Sequence, residues 1–287
     1  MKLKTMNYEE NPKSIKYHVK MYLHKNKRRF HNKSFIDFPA GNGITTRILK
    51  EIGAKPLAFD LFPEYFNIEG LDCKRANIVE GLPVEDACTD YLICQEGIEH
   101  FSDQLASFKE FNRVLKKGGG LIITTPNYSS LRAKMSYFLS ESERFNSIIA
   151  PNELDSIWMS KEDITNEIYY GHIFLIGILK LRCLGKLGGF KIKHIQSTRV
   201  KTTSLFLLIL FYPFILLSNW ITYRKRLRKN KDFDDNTKRE VYNEIFKLSI
   251  NPKILVDGHI FVEFEKEKEL HKIGKDLKSN HKEFGVT

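Results

Sequence analysis

The chain predicts an α/β fold, a doubly wound and mostly parallel sheet with helices on both faces. Two observations carry that expectation. From Ser34 to Thr125, short apolar runs of strand length alternate with segments of helical periodicity. Glycines, carboxylates and amides gather directly after those runs, where an open parallel sheet keeps its ligand crevice. The chain has 287 residues, ample for a large core, and its 42% hydrophobic content excludes a mainly disordered protein.

Each element follows from local pattern. Lys13 to Arg29 reads as a basic, partly amphipathic helix with Ile15, Val19 and Tyr22 on one side. Ser34–Phe38 is a strand leading into a glycine turn, and Thr45–Ile52 is a helix. Pro56–Asp60 is a second strand, Leu71–Cys73 a third, and Tyr91–Gln95 a fourth that ends in polar residues. Asp103 is placed to cap a helix carrying Leu105, Phe108, Phe111 and Leu115 on one face, which Gly118–Gly120 stops. Leu121–Thr125 is the next strand. The polar stretch from 127 to 170 is too long for a loop and is expected to form a helical cap. Gly171–Leu187 has helical spacing, and Phe190–Ile195 and Gly258–Glu265 are the last strands. This divides the chain into a basic helical segment (1–33), a main domain (34–266) and a charged tail (267–287).

The formal charge of +11 comes from dispersed lysines and arginines, and suits either a solvated surface or attraction to phosphate. Cys73, Cys88, Cys94 and Cys183 lack metal or disulfide-framework spacing and read as reduced core thiols of a cytoplasmic protein. The polar first eleven residues show no secretory signal.

Asp37-Phe-Pro-Ala-Gly-Asn-Gly43 follows the first strand and opens a helix. Gly41 and Gly43 let backbone approach a ligand closely, beside the open N–H groups of the helix start. Asp60 ends the second strand, where a carboxylate accepts both hydroxyls of a ribose. A dinucleotide fingerprint would need glycines where Pro39 and Thr46 stand. The pattern instead resembles the D-x-G-x-G-x-G loop of class I S-adenosylmethionine-dependent methyltransferases, with Pro39-Ala40 replacing the usual Gly-Cys. The resemblance continues through Leu82–Asp90, Cys94–His100, Glu110–Gly119 and Leu121–Asn127. It is strongest toward the type 11/12 and ubiquinone-pathway O-methyltransferases. It implies a Rossmann-like seven-stranded sheet whose last strand is antiparallel. S-adenosylmethionine would be held by Asp37, Pro39, Ala40, Gly41, Gly43, Asp60, Leu61, Asn77, Ile78 and Gln95. Asn77 stands where an aspartate commonly meets adenine, and an amide oxygen also accepts from an amino group.

Methyl transfer to a hydroxyl needs a nucleophile in line with the sulfonium and a base for its proton. His100, Glu99 and Glu96 cluster just beyond the fourth strand and are the catalytic candidates. Glu96-Gly-Ile-Glu99-His100 also resembles the E-x-x-E-H of ubiquinone-pathway and small-RNA methyltransferases. That resemblance implies that Glu96, Glu99, His100 and a downstream histidine, His172, hold Mg or Mn. Without a metal, Glu-His at this place serves as a helix start and hydrogen-bonding pair. Asp155, Tyr169 and Tyr170 are placed in the cap to line the acceptor pocket.

Thr202 to Tyr223 carries no charge and is flanked by Arg199 and Lys201 before it and Arg224, Lys225, Arg226 and Arg228 after it. Its length suits a membrane span. The strands on either side belong to one sheet, however, so a single crossing would part them. A segment broken at Pro213 that dips and returns, or one lying in the headgroup plane, satisfies both constraints. A buried hairpin or dimer interface is the competing reading. The expectation is therefore an apolar membrane-associating insertion over 202–250, peripheral or monotopic on an anionic cytoplasmic surface, and a lipid-linked or small-molecule acceptor. An RNA or surface-polysaccharide methyltransferase, or a cofactor-binding membrane scaffold without turnover, are the alternatives. Nucleic acid is the less expected partner, because no stacking platform or RNA-binding motif is present.

Overall fold

The structure, a computed structural model, describes residues 7–142, 152–154, 156–160, 168–229 and 233–273. It opens with helices α1 (Ile15–Lys25) and α2 (Lys27–Phe30), then β1 (Ser34–Asp37), α3 (Ile44–Glu51), β2 (Lys55–Asp60), β3 (Cys73–Arg75) and β4 (Thr89–Gln95). Helix α4 (Gln104–Val114) starts at Asp103, whose carboxylate accepts from the Ala106 N–H at 2.8 Å. It runs straight into β5 (Leu115–Pro126). Leu115, expected on the helix, is the first residue of that strand, which carries through Gly118–Gly120 where a stop was expected.

Strand order is β3-β2-β1-β4-β5-β9-β8, with β8 at Phe190–Ile195 and β9 at His259–Lys266. β1 pairs in parallel with β2 and β4, and β4 with β5, while β9 is antiparallel to both β5 and β8. This is the seven-stranded sheet with an antiparallel last strand that the motifs imply. Alternation along the central strands explains the two buried faces. Leu121 and Ile123 of β5, with Ile260, Val262 and Phe264 of β9, join Phe108, Phe111 and Phe190 on one side. Ile122 and Phe261 point the other way, into Val19, Leu23, Phe30, Phe35 and Ile48. The apolar stripe of α1 therefore closes one face of the sheet. Glu263 of β9, 2% exposed, pins it by accepting from the Tyr22 hydroxyl and from Arg29 at 2.9 Å.

The described residues of the stretch after β5, where covering helices were expected, hold both helix and strand. Helix α5 (Leu131–Ser140) is followed, among the described residues, by an antiparallel pair of strands, β6 (Ile157–Ser160) and β7 (Ile168–Tyr170). Asp155 lies outside the described residues. The following helix α6 (Ile178–Leu187) starts at Gly177, so His172 precedes it in a turn and does not begin the helix. The cysteines are free, but only Cys94 is buried; Cys73 and Cys88 are half-buried and Cys183 is exposed, so the core-thiol expectation holds for one of the four. The apolar insertion is a single helix, α7 (Thr202–Arg228), with Pro213 inside it. The break at Pro213, one of the two arrangements expected, is absent: a proline costs a helix one backbone bond and a clash at the residue four before it, here Ile209 on an outward face, and the 27-residue helix continues past it. Helices α8 (Asp235–Ile250) and α9 (Pro252–Val256) return the chain to β9. Of the tail, residues beyond 273 lie outside the described residues.

Candidate functional site

Chain order runs outward from β1 to β3 and then resumes at β4, so the sheet switches direction between β1 and β4. Parallel strands leave a crevice at such a point, beyond their carboxyl ends. The loop after β1, the end of β2 and the end of β4 all meet there. The crevice holds two adjoining cavities, of about 230 and about 210 Å³, which share Pro39, Asp60 and Tyr169 in their walls.

The larger cavity is walled by Leu61, Asn77 and Ile78 on one side and by His100 and Tyr169 on the other. Apolar walls flanking an amide and a carboxylate suit a purine and its ribose. Asn77 also accepts from the Val79 N–H at 3.2 Å, which fixes the turn beneath. The smaller cavity is lined by Ala40, Gly41, Thr45, Gln95, Glu96 and Lys16. Gln95 is held there because its amide oxygen accepts from the Thr45 hydroxyl at 2.7 Å.

Asp60 joins the two cavities. Its carboxylate accepts from the Gly41 N–H at 2.7 Å and the Phe62 N–H at 2.9 Å, which ties the glycine loop to the end of β2. Two further lone pairs remain for a diol, since an ionised carboxylate accepts at about four sites. Gly41 has φ +53° and open space where a side chain would begin, so ligand can approach its backbone. At Gly43, φ +84°, a Cβ would lie 2.6 Å from Ile68 and Phe66. One glycine serves the ligand and the other serves packing.

Asp37 is fully buried beneath this loop, with one oxygen accepting from the Thr46 hydroxyl at 2.5 Å and the other without a partner. Burial pushes its carboxyl up to about 7, against the Thr46 hydrogen bond. Because the folded value exceeds the unfolded one, the folded state takes up this proton as pH falls, and the ligand-free protein gains stability from pH 8 toward 6. We expect the melting temperature without ligand to be higher at pH 6 than at pH 8, and Asp37→Asn to flatten that difference. A differential scanning measurement in which both proteins keep the same pH slope would refute the assignment.

The residues after β4 divide. Glu96 takes φ +49°, a left-handed conformation uncommon outside glycine, and this swings its carboxylate toward β5 and β9. There it accepts from the Thr124 hydroxyl at 3.1 Å and stands 3.5 Å from His259 Nε2. Burial drives Glu96 up to about 7 and His259 down to about 4, so the contact joins two groups near their neutral forms. Glu99 is fully buried, with neither carboxyl oxygen hydrogen-bonded, and burial first, then the Glu96 charge, raises it well above the carboxylate range. His100 packs between Tyr169 (ring centroids 4.4 Å apart) and His172 (5.1 Å). Its Nδ1 lies 2.6 Å from the Tyr170 carbonyl, which only accepts, so the ring proton is on Nδ1 and the Nε2 lone pair is on the other edge. Burial holds His100 down to about 4, a neutral base at physiological pH. Gln104 secures the arrangement by donating to the carbonyls of Ile98 and Phe174 at 3.0 and 2.7 Å.

Of the four residues expected around a metal, the structure brings three together. Glu99, His100 and His172 bring one ligand atom each within 4.8 Å of one another, while Glu96 is turned to Thr124 and His259. A buried carboxylate with orphaned oxygens beside two imidazoles fits a first-row transition ion such as Mn; Mg, which wants an oxygen shell, fits it poorly. Tyr169 and Tyr170, expected to line an acceptor pocket, stand in the wall of the larger cavity.

Two residues escaped sequence reasoning. Lys16 reaches the smaller cavity from α1, its ammonium 3.1 Å from the Asn42 side-chain oxygen, and one lysine among many gives no signal. His259 lies at the start of β9. That strand is antiparallel, so its first residue, not its last, sits at the ligand edge, opposite Pro126.

Residues 15–194, well over half of the chain, match a family model described as a methyltransferase domain. Curated relatives include ubiquinone biosynthesis O-methyltransferases of Xanthomonas oryzae (26% identical) and Xanthomonas campestris (24%), each over 48% of this chain. The matched stretch spans 65% of the length of those relatives. Among solved structures, a SAM-dependent methyltransferase from Archaeoglobus fulgidus aligns over 90% of this chain and 98% of its own, with a TM-score of 0.51 and 15% identity.

Proposed function

The chain belongs to the methyltransferase-domain family as a class I S-adenosylmethionine-dependent enzyme, and from that premise we propose that it methylates a hydroxyl of a small or lipid-linked acceptor at a membrane surface. The observation that carries the choice of oxygen is the neutral His100 imidazole, its tautomer set by the Tyr170 carbonyl, on the wall of the cofactor crevice. The Xanthomonas relatives, named for O-methylation, support the same choice.

In this reading the nucleoside half occupies the larger cavity, with its ribose hydroxyls on Asp60 and its base between Leu61 and Ile78. The methionine half lies over Gly41, where Lys16 neutralises its carboxylate and Gln95 accepts from its ammonium. His100 Nε2 takes the proton of the acceptor hydroxyl as that oxygen bonds to the methyl carbon. The carbon–sulfur bond breaks, and its electron pair stays on sulfur as S-adenosylhomocysteine. Tyr169 and Phe101 keep water from the reacting atoms. In the alternative in which Glu99, His100 and His172 hold a Mn ion, the Nε2 lone pair would be taken by the metal, and the ion would replace the imidazole as the group that lowers the pKa of the acceptor hydroxyl.

Supplying methyl-labelled S-adenosylmethionine with phenolic and lipid-linked hydroxyl acceptors tests the reading. We expect label in an alkali-stable methyl ether and an equal amount of S-adenosylhomocysteine. Label confined to nitrogen or carbon acceptors would overturn the choice of oxygen. Thermal stabilisation by Mn, lost in His172→Ala and absent with Mg, is the outcome expected of the three-ligand set.

A further inference from the structure

Helix α7 is long and apolar enough to cross a membrane, and almost none of its apolar window is buried by the rest of the protein. Nine large apolar side chains stand out from it, among them Phe206 (67% exposed), Ile209 (76%), Phe214 (68%) and Trp220 (51%). Phe138 (83%) and Leu139 continue the surface onto the end of α5. A monomeric soluble protein seldom keeps a contiguous apolar patch beyond about 300–600 Å² without a use for it.

The packing of α7 decides how it meets a membrane. Helix α8 runs back along it: Tyr223 stacks near Phe246 at 5.6 Å, and the Tyr212 hydroxyl donates to the Ile250 carbonyl at 3.2 Å. α8 is itself fixed to the domain by the Arg182–Glu244 pair at 2.7 Å and by Leu248 in the main core. If α7 stood across a bilayer, Lys247, which lies between the two contacts of α8 with α7, and the nearby Glu244–Arg182 pair would be drawn toward hydrocarbon beside it. A charged side chain costs about 2.5–3.5 kcal/mol at the membrane centre. Lying flat, α7 buries its outer side while α8 stays in water. The charges fit that pose. Exposed Arg224, Lys225, Arg226 and Arg228 extend the helix at one end, exposed Arg199 lies before the other, and Arg224 stacks on Trp220 at 5.7 Å. Basic side chains at the rim of an apolar face, with tryptophan at headgroup depth, match an anionic lipid surface.

A groove of about 360 Å³ runs between the two helices, walled by Leu131, Met135 and Phe138 of α5 and by Leu207, Phe211 and Phe214 of α7. Its root is at the ligand edge of the sheet. α5 leaves directly after β5, and the Arg132 N–H donates to Ser204 of α7 at 3.1 Å, where the two helices diverge. We propose that α7 and the end of α5 form a docking surface lying in the plane of an anionic phospholipid bilayer, with the groove taking a hydrocarbon chain and so presenting a lipid-borne acceptor to the crevice. The acceptor clause rests on the reading of the function above; the docking surface does not.

Flotation with phosphatidylcholine vesicles, with and without phosphatidylglycerol, tests the surface on the full chain. Binding should require the anionic lipid and fall with salt. It should drop about fivefold for each of Arg224, Lys225 and Arg226 changed to Gln, equivalent to about 1 kcal/mol apiece. Phe206→Asp with Phe214→Asp should abolish binding yet leave stabilisation by S-adenosylmethionine unchanged, which shows that the variant folds. Orientation is read in a Trp158→Phe background from quenching by bromolipids. Trp220, and separately Phe206→Trp paired with Trp220→Phe, should report the same shallow depth although about 21 Å of helix separates them. Unequal depths would mean a span and overturn the proposal. So would vesicle binding indifferent to the aspartates, or a dimer that the aspartates convert to monomer without any lipid affinity in the native chain. Asp60→Ala, which disables the cofactor site, should bind vesicles normally, so a failed docking surface and a failed methyltransfer reading give separate results.

Discussion

Replacing Asp60 by alanine should weaken S-adenosylmethionine binding at least about a hundredfold and abolish its thermal stabilisation of the protein. Two losses combine. The ribose hydroxyls lose a charged acceptor, and hydrogen bonds to charged groups contribute about 1.5–3 kcal/mol each. The glycine loop also loses its tether, because Asp60 accepts from the Gly41 N–H at 2.7 Å and the Phe62 N–H at 2.9 Å. At about 1.4 kcal/mol per tenfold, the ribose term alone reaches a hundredfold. Asp60→Asn should fall between, since its amide oxygen keeps one acceptor edge and its NH₂ cannot accept from a backbone N–H. Isothermal titration of the three proteins, with circular dichroism to confirm an unchanged fold, makes the comparison. Equal affinity in Asp60→Ala and the native chain would place the nucleoside elsewhere.

The sheet was legible in the sequence because its central strands are buried on both faces and bounded by turn residues. Leu121–Thr125 and Tyr91–Gln95 are apolar runs of a kind that surface elements do not sustain. The cofactor loop was legible for a related reason: backbone approach demands glycine, and glycine at 41 stands out in the text. What escaped was set by orientation rather than composition. The direction of Glu96 follows from a left-handed backbone that no neighbouring residue announces, so the sequence could not separate it from Glu99. The site role of His259 depends on β9 running against its neighbours, which inverts the rule that informative residues follow strands. The continuity of α7 through Pro213 is likewise a property of the surroundings. Proline is forbidden in an ideal helix interior, yet a helix with an open outer face has room to accommodate it.

The same dependence on orientation makes His100 the residue whose loss should cost most in turnover. His100→Ala should lower kcat by about 10²–10⁴, the range for removal of a positioned general base, and change S-adenosylmethionine affinity by less than about fivefold. The split between kcat and affinity matters, because His100 also contributes wall to the larger cavity and a purely structural role would move both together. Added imidazole should restore part of the rate, as the truncated side chain leaves a space between Tyr169 and His172 that a free ring can enter. The pH profile supplies an independent sign. Burial holds the His100 imidazole down to about 4, so it stays an acceptor far below the pH at which an exposed histidine is protonated. kcat should thus be flat from pH 8 to 6, whereas kcat/KM should decline as pH drops through 7. Below that point Asp37 and Glu96, both pushed up to about 7, take up protons and offer the cationic sulfonium less negative charge. A kcat that halves near pH 6.5 would mean an imidazole in water, and the base would have to be sought elsewhere in the crevice.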